Sequence, residues 1–207
     1  MKSFENVRLY CFTAGGLLKG RDPLELVAAQ IRGGADVIQL REKDMSKRDK
    51  LHLGLQIRDL TKSEGVLFIV NDDLDLALIL KADGVHLGQD DIPIGYAREI
   101  AGDMIIGVST HNKSQVKAAV DAGADYIGVG PVFETGTKKD HEPVLGLDFL
   151  AEISAECPIP WVAIGGIGLD RIDSVLSAGG RAVAVISDIL LSDEVEARCK
   201  AVKGRLP

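Results

Sequence analysis

Eight short apolar runs alternate with longer polar-apolar segments along the 207 residues of this chain. Each run is only four or five residues long, which is typical of strands buried on both faces of a parallel sheet. The runs are Leu9–Thr13, Val37–Leu40, Leu67–Val70, Gly84–Leu87, Ile105–Val108, Tyr126–Val129, Trp161–Ile164 and Ala182–Ile186. The pattern therefore predicts an α/β fold in which strands and helices alternate.

The segments between the runs carry helix signals. Asp22 is placed as an N-cap, with proline at the first position of a helix over Pro23–Ile31. Lys47–Ser63 has leucines at helical spacing with charges between them, and Asn112–Ala122 begins at a capping residue. Each predicted helix follows a predicted strand, as the alternation requires.

A short motif recurs before every second run. Gly34-Ala35-Asp36, Ala82-Asp83 and Gly123-Ala124-Asp125 precede the second, fourth and sixth runs. Eight strand-helix units with this echo favour a single-domain (β/α)8 TIM barrel over residues 1–207. The alternative is a doubly wound open sheet, but its glycine-rich fingerprint is not found after the first run, where Ala14-Gly15-Gly16 stands.

Charge and composition narrow the class of partner. The net charge is −7, the isoelectric point is about 5.1 and aromatic residues make up 4%, which disfavours nucleic acid and anionic membranes. No run approaches the length of a membrane span. The three cysteines are far apart and lack metal or redox spacing. We expect a soluble, cytoplasmic protein, with a homo-oligomer left open.

Charged residues follow the second run, where a barrel places its chemistry. Arg41 and Lys43 could bind a diphosphate, and Gln39 could hydrogen-bond a heterocycle. The alternative is a surface salt-bridge cluster, since Glu42 stands between the two cations.

Carboxylates follow the third and fourth runs. Asp72 and Asp91 could share one Mg²⁺ ion, because magnesium usually takes only one or two protein carboxylates. Helix capping is the alternative for both residues. His86 lies within the fourth run and is interpreted as a satisfied core or rim histidine rather than a ligand.

The fifth and sixth runs are followed by hydroxyl and amine groups. Ser109 could donate to a phosphate, Asn112 is expected to cap a helix, and His111 is either an acid/base group or a structural histidine. After the sixth run, Thr135, Gly136, Thr137 and Lys138 could hold an oxyanion, although a solvated loop has the same composition.

A second anion site is predicted after the last two runs. Gly165 and Gly166 follow the seventh run, and Ile186 and Ser187 end the eighth, where barrels commonly bind phosphate. A diphosphate leaving group near Arg41 and a monophosphate near Ser187 would describe a transferase. The residues alone do not name its substrates.

The motifs as an ordered set resemble those of thiamine-phosphate synthase. They are Gln39-Leu40-Arg41-Glu42-Lys43, Asn71-Asp72, His86-Leu87-Gly88-Gln89-Asp90-Asp91, Gly107-Val108-Ser109, Gly130-Pro131 with Thr135-Gly136-Thr137-Lys138-Lys139, and Ala163-Ile164-Gly165-Gly166-Ile167. The resemblance implies condensation of two small phosphorylated heterocycles, hydroxymethylpyrimidine diphosphate and hydroxyethylthiazole phosphate. Thiamine phosphate and pyrophosphate would be the products, and the substitution would be dissociative and Mg²⁺-assisted.

The resemblance also implies a role for each matched position. The pyrimidine diphosphate would be bound by Gln39, Leu40, Arg41, Glu42, Lys43, Asn71, Ser109 and Lys138, of which Arg41, Lys43, Ser109 and Lys138 would be catalytic. Asp72 and Asp91 would bind Mg²⁺. The thiazole phosphate would be bound by Thr135, Gly136, Thr137, Gly166, Ile186 and Ser187. One departure is the first loop, Thr13-Ala14-Gly15-Gly16, where the family commonly has an acidic residue.

Two other functions fit parts of the pattern. A thiazole tautomerase of the same superfamily would not need the diphosphate and metal residues. A non-catalytic barrel that senses a phosphorylated ligand would not need a leaving-group site. Both remain alternatives at this point, because fold alone does not decide function.

Overall fold

The computed structural model describes residues 4–136 and 143–207, and within them eight parallel strands close into a barrel in chain order. The strands are β1 Leu9–Phe12, β2 Val37–Leu40, β3 Leu67–Asn71, β4 Gly84–Leu87, β5 Ile105–Thr110, β6 Tyr126–Val129, β7 Trp161–Ile164 and β8 Val183–Ala184. β1 pairs with both β2 and β8. The (β/α)8 barrel is therefore confirmed, and the open sheet is excluded.

Helices on the outside of the barrel connect the strands. The described ranges contain α1 Pro23–Arg32, α2 Lys47–Glu64, α3 Leu74–Ile79, α4 Ile94–Ala101, α5 Lys113–Asp121, α6 Gly146–Glu156, α7 Ile172–Ser177, α8 Ser187–Leu190 and α9 Val195–Lys203. Asp22 and Asn112 cap α1 and α5 through their side-chain oxygens, as predicted. None of these helices is both long enough and apolar enough to cross a membrane.

Alternation along each strand separates two sets of side chains. On β2, Val37 belongs to the cluster inside the barrel, whereas Ile38 and Leu40 pack in the layer between barrel and helices. Gln39 shares the inward face with Val37 and approaches the barrel axis beside Asn71 and Ser109. Because side chains alternate between the two faces of a strand, the inward-facing polar residues near the strand ends lie together at the barrel axis.

Aromatic rings fill the barrel interior. Phe4 stacks on Tyr126 with ring centroids 3.7 Å apart and an interplanar angle of 7°. Tyr10 lies against Phe4, Phe12 and Tyr126. Since Phe4 precedes β1, it closes the barrel at the end where the strands begin. Open space is left at the opposite mouth, where the strands end.

The aspartates of the recurring motif tie neighbouring strands together. The carboxylates of Asp36, Asp83 and Asp125, which precede β2, β4 and β6, accept main-chain N–H groups at the start of β1, β3 and β5. Each carboxylate also pairs with a cation, from Lys203, Arg58 and Arg98 respectively. The recurring Ala-Asp motif therefore has a structural role: each aspartate joins two neighbouring strands at the closed end of the barrel, far from the open mouth.

Asp83→Ala should lower the free energy of unfolding by about 2–3 kcal/mol, since it leaves Arg58 and an N–H of β3 without their acceptor. The side chains of Asp83 and Arg58 are only 13% and 19% exposed, so water replaces the lost partner poorly. Urea unfolding measures the change, with the exposed Asp59→Ala as the matched control. Equal stability of the two variants would contradict the anchoring role.

Candidate active site at the barrel mouth

Several adjoining cavities occupy the open mouth, and three of them meet at Ser109. The first, of about 1060 Å³, is lined by residues after β1 to β5, and the second, of about 670 Å³, by residues after β5 to β8. A third, of about 50 Å³, lies toward the barrel axis. Ser109 lines all three, and His111 and Gly136 line both larger ones. The mouth can therefore hold two ligands side by side.

The first cavity contains the two carboxylates predicted to bind metal. Burial, together with the charge of Asp91 and a hydrogen bond to it, raises the pKa of Asp72 to about 6. Asp91 accepts the Gly88 N–H at 2.6 Å, which orients its carboxylate. Asp72 itself has φ of 62°, a left-handed conformation that costs a non-glycine residue about 1 kcal/mol. The two carboxylates are thus held together despite their mutual repulsion.

A Mg²⁺ ion fits this pair. Carboxylate oxygens are hard donors, and magnesium is commonly bound by one or two of them, with water and phosphate oxygens completing the shell. The described residues contain no cluster of three or more histidine, cysteine, aspartate or glutamate side chains suited to a metal. Two carboxylates would leave positions on the ion for phosphate oxygens and water.

Helix capping does not explain either carboxylate. α3 follows Asp73 and α4 follows Pro93, and neither helix start is capped by a side-chain hydrogen bond. Asp73 instead pairs with Lys47 and Lys50 at 3.0 and 2.9 Å. The alternative interpretation of Asp72 and Asp91 is therefore wrong.

Two cations line the same cavity as the carboxylates. Burial lowers the pKa of Arg41, and the charges of Asp72 and Glu42 oppose that shift. Arg41 stays cationic, because a guanidinium does not lose its proton in a protein. The charge of Lys43 in turn lowers the pKa of Asp72. Arg41 and Lys43 therefore lie beside the carboxylates rather than in a separate surface cluster.

Two residues predicted to bind the pyrimidine diphosphate, Leu40 and Glu42, also make contacts within the protein. Glu42 lines the first cavity as well, and the predicted roles stay predictions. The Leu40 side chain packs outward toward Gly54 of α2, so it does not face the cavity. Glu42 is 5% exposed, and its Oε2 accepts the Gly15 N–H at 2.7 Å. Glu42 thus anchors the first loop, and a Cβ at Gly15 would lie 2.6 Å from its Oε2. A glycine in this loop is therefore explained by the close approach of Glu42.

The second cavity has a lining rich in glycine and hydroxyl residues, and neither arginine nor lysine is among the described residues that line it. Its lining includes Thr135, Gly136, Gly166, Ile186 and Ser187, the described residues predicted to bind the second phosphate. Gly166 has φ of 63°, and a Cβ there would lie 2.5 Å from the Glu134 carbonyl oxygen. Only glycine therefore fits at this position without displacing the loop after β6.

Two predicted residues are not located. Thr137 and Lys138 lie outside the described residues, so their predicted roles stay predictions.

Sequence reasoning missed a chain of hydrogen bonds between these cavities. The Tyr10 and Tyr126 hydroxyls are 3.0 Å apart, and the Tyr126 hydroxyl is 2.9 Å from His86 Nδ1. Burial raises the pKa of both tyrosines, so both are neutral. The presence of a tyrosine in each of two buried strands, β1 and β6, was the available signal, because a buried hydroxyl requires a partner.

His86 is satisfied inside the protein, as predicted, but its second partner was not foreseen. Its Nε2 lies 2.9 Å from Ser109 Oγ. Contact between these residues is created by the pairing of β4 with β5. His111, the other histidine of the mouth, bonds the Gly130 carbonyl through Nδ1.

Known proteins share both the sequence and the fold. Residues 9–189 match the family model described as thiamine monophosphate synthase. A thiamine-phosphate synthase of Pelotomaculum thermopropionicum is 46% identical over 95% of this chain and 90% of that protein. One of Chloroflexus aurantiacus is 46% identical over 95% of this chain and 91% of its own length.

Solved structures agree with these relatives. The thiamine phosphate pyrophosphorylase of Pyrococcus furiosus superposes with a TM-score of 0.88 at 37% identity, covering 96% of this chain and 95% of that one. A 3-hexulose-6-phosphate synthase superposes with a TM-score of 0.69 at 17% identity, covering 97% of this chain and 100% of that one, which is likeness of fold alone. The chain therefore belongs to the thiamine monophosphate synthase family.

Proposed function

We propose that the barrel mouth condenses hydroxymethylpyrimidine diphosphate with hydroxyethylthiazole phosphate to give thiamine phosphate and pyrophosphate. Family membership already makes the chain an enzyme of thiamine phosphate synthesis, which is a transferase. The observation that carries the proposal is the pair of cavities at one mouth. One holds cations and paired carboxylates, the other is rich in glycine and hydroxyl residues, and Ser109 borders both.

The first cavity is proposed to bind the pyrimidine diphosphate. Arg41 and Lys43 would neutralise the diphosphate, and Gln39 and Asn71 would face the ring. Ser109 would donate to a diphosphate oxygen, and Lys138 is proposed to join the two cations. Asp72 and Asp91 would hold Mg²⁺, which when bound offsets the charge that develops on a departing diphosphate.

The reaction is proposed to begin with loss of pyrophosphate. The bond between the pyrimidine methylene carbon and the diphosphate oxygen breaks, and its electron pair leaves with the oxygen. The electron-rich aminopyrimidine ring stabilises the methylene cation. The lone pair of the thiazole nitrogen then forms the new carbon–nitrogen bond. No proton is transferred in this sequence, so the protein need only position the reactants and stabilise charge.

The second cavity is proposed to hold the thiazole phosphate. Thr135, Gly136, Gly166, Ile186 and Ser187 line it, and Thr137 is proposed to join them. Exposed N–H groups and hydroxyls bind a phosphate without adding charge. Binding there would direct the thiazole nitrogen toward the first cavity.

Incubation of the purified protein with both substrates and Mg²⁺ tests the proposal. We expect thiamine phosphate and pyrophosphate in equal amounts, and loss of both products with excess chelator. Conversion of the thiazole substrate without pyrophosphate release would favour a tautomerase instead. Binding of either substrate without any product would favour a non-catalytic barrel.

Arg41→Lys should raise KM for the pyrimidine diphosphate about tenfold, because lysine keeps the charge but loses the planar fork that matches two phosphate oxygens. KM for the thiazole phosphate should change by less than about twofold, since Arg41 lines the other large cavity. Steady-state kinetics measure both constants, and Arg48→Lys on the exposed face of α2 is the matched control. Equal effects on the two substrates would contradict the assignment of the cavities.

A cellular location and an assembly state are also proposed. A cytoplasmic location agrees with three free cysteines and is tested by cell fractionation. A homo-oligomer agrees with the exposed apolar side chains of Ile79, Tyr96 and Ile100 on α3 and α4. Light scattering of the purified protein measures the assembly directly.

A further inference from the structure

Five polar side chains form one continuous hydrogen-bond chain across the barrel. Gln39 Nε2 lies 2.6 Å from the Tyr10 hydroxyl, which lies 3.0 Å from the Tyr126 hydroxyl. His86 bridges Tyr126 and Ser109, with both distances at 2.9 Å. The series runs from the Gln39 amide, beside the small cavity at the barrel axis, to the Ser109 hydroxyl, which borders the small cavity and both larger ones. It joins residues from β1, β2, β4, β5 and β6.

Two glycines of the neighbouring strands leave room for the side chains of this hydrogen-bond series. Gly107 lies opposite Tyr126, and a Cβ at Gly107 would overlap the Tyr126 ring at Cζ. A Cβ at Gly128 would lie 3.4 Å from His86 Cε1. Tyr10 and Gln39 are each 2% exposed, and Tyr126 is fully buried. Each buried member therefore takes its hydrogen bonds from its neighbours in the series.

Such a series of hydrogen bonds uses every buried hydroxyl proton within it when all of the bonds run in one direction. A hydroxyl in the chain donates once, and a neutral imidazole donates from one nitrogen while it accepts at the other. If Gln39 donates to Tyr10, then Tyr10 donates to Tyr126, Tyr126 to His86 Nδ1, and His86 Nε2–H to Ser109 Oγ. The Ser109 proton is then free to point into the mouth. In the opposite direction Ser109 donates to His86, as an activated serine nucleophile does.

We infer that the bonds run outward, which means that each residue donates to the next from Gln39 to Ser109, and that Gln39 sets this direction. Tyr10, Tyr126 and His86 then act as positioning residues. They leave the Ser109 proton free to bind a phosphate oxygen. Two observations favour this direction over a serine nucleophile. The end partner at Gln39 is an amide N–H, which is a donor. The partner of His86 Nδ1 is a neutral tyrosine hydroxyl rather than the carboxylate that orients a catalytic base.

The outward direction suits the ligand of the first cavity. An anion needs donors, and Ser109 lines the same cavity as Arg41 and Lys43. A serine hydroxyl rotates freely unless a partner fixes it, and a donor at its oxygen leaves the proton free for the ligand. The identity of that ligand as the pyrimidine diphosphate rests on the proposed function. The direction of the hydrogen bonds does not rest on the proposed function.

The tautomer of His86 tests the direction in the protein without substrates. ¹⁵N-histidine spectra at pH 8, with the signal assigned by its loss in His86→Gln, should show the neutral Nε2–H form. Gln39→Glu replaces the donor by an acceptor and should convert the signal to the Nδ1–H form. An Nδ1–H or doubly protonated His86 in the unsubstituted protein would overturn the inference.

A double-mutant cycle tests whether Tyr126 acts through Ser109. Tyr126→Phe keeps the ring that stacks on Phe4 and should lower kcat about tenfold, on the order expected for loss of one oriented donor to an anion. The same substitution in the Ser109→Ala background should have no further effect. Tyr96→Phe, at the third tyrosine and 64% exposed, is the matched control. Additive losses in the cycle would overturn the positioning role.

The two measurements separate this inference from the proposed function. A protein that shows the Nε2–H form but makes no thiamine phosphate would keep the outward chain and overturn the proposed reaction. A protein that makes thiamine phosphate with His86 in the Nδ1–H form would support the proposed reaction and overturn the outward direction of the hydrogen bonds.

Discussion

Asp91→Asn should lower the Mg²⁺-dependent turnover by about 10²- to 10³-fold, which is the cost typical of removing one charge-stabilising group from an active site. The substitution removes a carboxylate charge but leaves an oxygen that can accept the Gly88 N–H. Because it also relieves repulsion with Asp72, the free energy of unfolding should not fall. Turnover and Mg²⁺ affinity are measured by pyrophosphate release and by calorimetry with pyrophosphate present.

Asp103→Asn is the control for this prediction. Asp103 is exposed and lies between α4 and β5, at the closed end of the barrel. The same loss of one charge there should leave turnover and Mg²⁺ affinity unchanged. Turnover in the Asp91 variant that stays near the original value, or that survives excess chelator, would remove the proposed metal role.

Gly166→Val should abolish binding of the thiazole phosphate while binding of the pyrimidine diphosphate persists. A Cβ at Gly166 meets the Glu134 carbonyl oxygen at 2.5 Å, so the loop after β6 must move into the second cavity. We expect a loss of at least about 100-fold in kcat/KM for the thiazole phosphate, the scale on which small displacements of bound reactants act. Calorimetry with each substrate separately distinguishes the two sites.

Gly65→Val separates this steric effect from backbone strain. Gly65 has φ of 72°, close to the 63° of Gly166, but no atom lies within 4 Å of the position its Cβ would take. Both variants should lose stability because valine is strained at positive φ. Only the Gly166 variant should lose the thiazole phosphate. Loss of both substrates together would place Gly166 in the scaffold rather than in the second cavity.

The barrel was predictable because its signal is local. Four strands, β2, β4, β6 and β7, have the bounds expected from the apolar runs, since a buried parallel strand requires continuous apolar residues. The eighth is shorter than predicted, Val183–Ala184 instead of Ala182–Ile186. The backbone leaves the extended conformation at Ile186, where φ and ψ are −112° and −80°, because α8 begins at the next residue. An apolar run therefore does not mark where a strand must turn.

The gathering of polar residues was equally predictable from strand order. Arg41, Asp72, Asp91 and Ser109 follow or end strands β2 to β5, and parallel strands bring those ends to one mouth. Alternation also places Gln39, Asn71 and Ser109 on inward faces. The roles proposed for these residues go further than their positions and depend on the experiments above.

By itself, the sequence determined the barrel, the mouth and most of the residues around it, because each follows from spacing along the chain. Only the tertiary structure decided that Leu40 faces a helix, that Glu42 holds the first loop, and that Tyr10, Tyr126 and His86 connect Gln39 to Ser109. These contacts join residues as far as 116 positions apart. A pattern of neighbouring residues contains no record of such a contact, which exists only once the barrel has closed.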